Sequence, residues 1–84
     1  MKVTFFCTGE EKPGTDAYQR VMAAMDIEAS RHGLVFYQPL IHPDDLYHCC
    51  IVSGGSVGAE GIHKNPMLAA LQAWQLLNKE RASA

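Results

Sequence analysis

Tyr47-His48-Cys49-Cys50-Ile51-Val52-Ser53-Gly54-Gly55-Ser56-Val57-Gly58-Ala59-Glu60-Gly61-Ile62-His63-Lys64 is the stretch on which the fold turns. Its first part, Tyr47–Ser53, reads as a strand. Residues 54–64 carry four of the seven glycines, and that density predicts an eleven-residue loop. The loop resembles a phosphate cradle only on the surface. A P-loop needs Lys-Ser/Thr after its last glycine, and a dinucleotide fingerprint needs glycines at i, i+2 and i+5. Gly54, Gly55, Gly58 and Gly61 supply neither. Ile62-His63-Lys64 separates the glycines from the next helix, and Glu60 would repel a phosphate.

Upstream, Leu34–Ile41 is a strand in which Pro39 removes a ladder donor, marking an edge or a bulge. His42-Pro43-Asp44-Asp45 is turn chemistry, short enough to join the two strands as an antiparallel hairpin. Before them, Asp16 opens a helix as its cap, with Gln19 reaching back. Tyr18, Val21, Met22, Met25 and Ala29 form its core stripe, and Gly33 ends it. Residues 2–8 alternate Val3, Phe5 and Cys7 against Lys2, Thr4, Phe6 and Thr8, which predicts an N-terminal strand followed by a flexible turn-rich stretch. Downstream, Asn65 caps a last helix with Pro66 at its first position. Met67, Ala70, Leu71, Trp74 and Leu77 make its stripe, and residues 78–84 form a frayed polar tail.

The expected fold is an α+β two-layer sandwich of β-α-β-β-α order. A right-handed crossover makes the first two strands parallel and the hairpin adds the third, giving a three-stranded mixed sheet with two helices packed on one face. The 84 residues, numbered 1–84, form a single small domain. At this size a chain buries only about 60–65% of its unfolded surface, so a partner or a second copy would help it.

Seven Lys and Arg against nine Asp and Glu leave a charge of −2, with no basic cluster. Phosphate-backbone binding draws on clustered cations, so no direct nucleic-acid contact is expected. No apolar run reaches the ~20 residues of a membrane span, and the N-terminus lacks a signal-peptide core. A cytoplasmic protein with reduced Cys7, Cys49 and Cys50 is the expectation.

Cys7, His48 and Cys50 are the one set that suggests soft-metal or thiol chemistry. His48 and Cys50 share a strand face, and Cys7 would sit on a neighbouring strand. Against it stand small core cysteines that fill space. Asp44-Asp45 beside His42 mimics an acid/base pair but reads as a turn with Asx hydrogen bonds. No catalytic residue, cofactor or metal ligand is assigned. Surplus apolar helix surface is the stronger signal. Ala69, Ala73 and Leu76 point away from the last helix's stripe, and Ile27 lies opposite the stripe of the first. These four, with the acids Glu10, Glu11, Asp44, Asp45 and Glu60, are the expected partner-binding residues, the acids suiting a basic partner. The partner is a protein, a second copy of the chain included.

Lys64-Asn65-Pro66-Met67-Leu68-Ala69-Ala70-Leu71, together with the helix-hairpin order of residues 15–53, resembles small phage- and prophage-encoded α/β sandwich proteins of unknown function. The likeness spans about residues 15–78 and omits the N-terminal strand. It implies a mobile-element accessory protein, a type that binds and blocks host proteins such as CRISPR effectors, and it carries no residue roles. The reading is thus a non-enzymatic protein-binding module, with a small thiol or metal protein using Cys7, His48 and Cys50 as the alternative.

Overall fold

The computed structural model describes residues 3–82. Its elements are α1 (Asp16–Arg31), β1 (Leu34–Ile41), β2 (Tyr47–Ser53), β3 (Ser56–His63) and α2 (Pro66–Ala82). The order is α-β-β-β-α and the sheet is antiparallel throughout, arranged β1-β2-β3. The expected β-α-β-β-α order and the mixed sheet are both corrected, for two separate reasons.

The first lies at Gly54 and Gly55. Their φ values of 59° and 83° are the paired positive dihedrals that a two-residue hairpin turn demands. The chain reverses there at once, and residues expected as loop become β3, paired with β2 from Ser53–Ser56 to Tyr47–His63. Two flexible glycines were enough, and Gly58 and Gly61 serve other ends within the strand.

The second lies at the N-terminus. Residues 3–8 are extended but join no ladder. Val3 has both its backbone groups taken by one side chain: its N–H donates to Asn78 Oδ1 at 3.1 Å and its carbonyl accepts from Asn78 Nδ2 at 2.8 Å. Phe5 lies against Trp74, with ring centroids 5.1 Å apart. Gly9 presents its carbonyl to Asn65 Nδ2 at 2.9 Å. The segment is therefore an arm running antiparallel along α2. Its alternation is real but reports burial: Val3, Phe5 and Cys7 turn inward, Thr4, Phe6 and Thr8 outward. Met1 and Lys2, which the expected strand and its flank include, lie outside the described residues, as do Ser83 and Ala84 of the expected tail. The helix itself continues through Ala82, past the start of that tail.

Both helices cover one face of the sheet. Thr15, not Asp16, caps α1, its Oγ1 accepting from the Tyr18 N–H. The expected stripe of Tyr18, Val21, Met22, Met25 and Ala29 is buried, and α1 packs on β1. Gly33 follows with φ 69°. Asn65 caps α2, its Oδ1 accepting from the Met67 N–H at 2.9 Å. Met67, Ala70, Trp74 and Leu77 are buried as expected, with Leu71 packed beside them.

Ala69 and Ala73 are corrected. Both are fully buried, because α2 lies almost directly on β3. A Cβ at Gly61 would overlap the Ala69 carbonyl and crowd the Ala73 nitrogen. Where two backbones approach so closely only small side chains fit, so the helix is apolar on this side to seat against the strand.

Candidate functional site on the open face of the sheet

β2 is the central strand, so the direction of its side chains sets both faces. Cys49 and Ile51 point into the core, which places His48, Cys50 and Val52 on the other side. Directly opposed residues share a face, and the register sorts the outward set into three rows. Val35, Val52 and Val57 form one. Tyr37, Cys50 and Glu60 form the next, and Leu40, His48 and Ile62 the third.

Two bulges make this set. Tyr37 and Leu40 are three residues apart and would face opposite ways on a regular strand. An extra residue at positions 38–39 brings both outward and turns Pro39 in. On β3 the extra residue is Gly58, which puts Val57 and Glu60 on one face. The expected irregularity at Pro39 on an edge strand is present, and it has this consequence.

Among the described residues nothing covers the rows. Val35, Tyr37, Leu40, Val57 and Ile62 are each between 42% and 68% exposed. Single exposed apolar residues are ordinary, but here they are contiguous and present roughly 500 Å² of apolar area, the upper range for the surface of a monomer.

One corner of the face is polar. The His48 ring is bracketed by Asp44 at 3.0 Å and Glu60 at 3.8 Å, and it stacks on His42 at 4.0 Å between centroids. Asp44 also accepts from the Leu46 N–H at 3.0 Å, the expected Asx turn. That hydrogen bond, helped by His48, holds its carboxyl below the usual range. Asp45 completes the turn at φ 63°. Cys50 lies opposite Glu60, and partial burial, with the acid's charge adding, pushes its thiol pKa up. A raised thiol pKa is the reverse of what nucleophilic activation requires.

The Cys7, His48 and Cys50 set does not converge. Cys7 packs on the helix side of the sheet, whereas His48 and Cys50 occupy the opposite face. Cys49 is a core residue whose thiol donates to the Tyr37 carbonyl at 3.2 Å, and burial pushes its pKa up to about 12. Among the described residues no three His, Cys, Asp or Glu side chains are placed to hold a metal ion. No helix there is long and apolar enough to cross a membrane.

The expected partner-binding residues are dispersed. Leu76 and Ile27 are exposed, but on separate helices. Leu76 stands among Gln72, Gln75 and Lys79. Ile27 borders a groove of about 660 Å³ between α1 and the arm, with Phe5 and Phe6 across from it. Glu10 and Glu11 sit near Lys12 and Lys64. Glu11 is occupied there, accepting from the Thr8 and Gly9 N–H groups, and the Thr8 hydrogen bond lowers its pKa. Asp44 and Glu60 belong instead to the His48 corner. Sequence reasoning missed Val35, Tyr37, Leu40, Val57 and Ile62. The signal for two of them was present, since Val35 and Tyr37 alternate with the core residues Leu34 and Phe36 and are themselves apolar.

No known protein family, curated protein or solved structure matches this chain. The resemblance to phage-encoded sandwich proteins therefore gains no support from them.

Proposed function

We propose that this chain is a non-enzymatic protein-binding module and that it binds through the open face of its sheet. The observation that carries the reading is the contiguous outward set of Val35, Tyr37, Leu40, Val57 and Ile62, brought onto one face by two bulges. A sheet face gains free energy when its apolar side chains leave water, and among the described residues only the helix-covered face does so. The His48, Asp44 and Glu60 corner gives the surface a polar rim with defined charge, the usual source of register and selectivity at an interface.

The test is a photo-crosslinking amino acid placed at Val57 in one variant and at Leu76 in another, irradiated in cells that express the protein. The reading expects protein adducts at Val57 well above those at Leu76. Equal yields at the two positions, or none at Val57, would sink it. An adducted partner drawn from a bacterial defence complex would extend the reading to the blocking role that the resemblance implies.

A further inference from the structure

We infer that the occupant of the open face is a second copy of this chain, packed sheet to sheet about a two-fold axis along β2 that sets Cys50 beside its counterpart. The inference rests on the protein-binding reading and names its partner.

Three features of the face point there. The first is area. With Val52, Cys50, His48 and Glu60 included, the face offers roughly 650 Å² per copy, so two copies would bury about 1,300 Å², within the range of stable specific interfaces. The second is symmetry. Cys50 is the middle residue of the middle row on the middle strand, and any in-plane two-fold axis through the centre of the face brings it opposite itself.

The third is charge, which selects the axis. Tyr37 and Glu60 flank Cys50 on β1 and β3. An axis across the strands sets Glu60 against Glu60 of the other copy, two like charges losing water together. An axis along the strands sets the Tyr37 hydroxyl against that carboxylate, so each acid gains a donor in each half of the interface. Either axis keeps the apolar edge residues on one another, and this one lays Val35 on Val57, Leu40 on Ile62 and His48 on its own counterpart.

Packed sheets lie about 10 Å apart, beyond the Cα separation a disulfide tolerates but within reach of a short spacer joining two thiols. Purified wild-type protein, followed by light scattering over a concentration series and treated with bismaleimidoethane, is expected to show twice the 9.2 kDa chain mass and a covalent dimer. Cys50→Ser should abolish the covalent dimer while keeping the doubled mass. Tyr37→Phe should raise the dimer dissociation constant about a hundredfold or more, the loss of two symmetry-related charge-assisted hydrogen bonds, and Glu60→Gln about tenfold, because its amide oxygen still accepts from each Tyr37 hydroxyl. Tightening on Glu60→Gln would mean opposed acids and overturn the axis. A dimer that persists in both Ile62→Lys and Val57→Lys, or that crosslinks without Cys50, places the contact elsewhere and overturns the inference. A monomer at millimolar concentration also overturns it. In that case adducts of a different protein at Val57 leave the binding reading standing, and their absence removes both.

Discussion

Gly61 shows how a single missing methyl group can decide the position of a helix. It lies in β3 beneath the carbonyl of Ala69, where an added Cβ has no room and meets backbone rather than a flexible side-chain end. Gly61→Ala must push α2 off the sheet or distort the strand. We expect a loss of about 3 kcal/mol or more in urea unfolding, toward the top of the overpacking range. A loss below about 1 kcal/mol would show that the helix sits farther out. Cys49 makes a different kind of prediction. Its buried thiol resists ionisation up to about pH 12, whereas the unfolded thiol ionises near its reference value of 9.0. The folded pKa is the higher one, so this residue's effect is constant below about pH 9. Stability then falls by about 1.4 kcal/mol per unit between about 9 and 12, as the unfolded chain releases a proton that the folded chain keeps. Comparing wild type with Cys49→Ala between pH 8 and 10.5 isolates the effect, and parallel curves would contradict it.

Among the elements, the N-terminal arm is the one held with least redundancy. It has no ladder, and its attachment runs through the Asn78 amide on Val3, the Phe5 ring on Trp74 and the Asn65 amide on Gly9. The Asn78 side chain stands in for a neighbouring strand, satisfying the N–H and carbonyl of one residue as a ladder partner would. Asn78→Ala should cost about 1–2 kcal/mol, two hydrogen bonds at a part-buried site. It should also raise hydrogen exchange at Val3 while leaving exchange in β2 unchanged. If β2 loosens to the same extent, arm and sheet unfold as one unit and the local account is wrong. The sheet gains from its hairpin turns what the arm lacks, since consecutive antiparallel strands close short loops at small entropic cost.

For the molecule as a whole, the decisive quantity is how the described elements are shared between the two faces of the sheet. Two helices and the arm all go to one side, and among the described residues none lies on the other. Under the proposed binding, a partner on the open face would stabilise the fold by mass action. The prediction at this scale concerns where charge is tolerated. Leu76→Asp, on an exposed helix position flanked by polar side chains, should leave solution mass and melting temperature within error of wild type. Ile62→Lys should lower the melting temperature more at high protein concentration than at low, because it removes the associated form. A drop in mass on Leu76→Asp would return the contact surface to the helices.

Local patterning was enough for the two helices and their stripes, the Asn65 cap, the β1–β2 hairpin and the irregularity at Pro39, because each depends on neighbours within a few residues, whereas the cap of α1 is Thr15, one residue before the expected Asp16. The glycine spacing in residues 54–64 departs from that of a phosphate loop, and the apolar surplus expected at Ala69 and Ala73 of α2 proved to be buried against β3. The tertiary structure alone decided three things. It turned the glycine stretch into β3, since a two-glycine turn and a flexible loop look alike until a strand is present to pair with. It made the alternating arm a strap instead of a strand, because a period of two records which side faces the core and not whether a ladder exists. It moved the candidate surface from Ala69 and Ala73 to the far side of the sheet. Burial of small residues depends on how closely a helix approaches a strand, and the face shared by Tyr37, Cys50 and Glu60 depends on register and bulges. Those are long-range relations, and local patterning does not encode them.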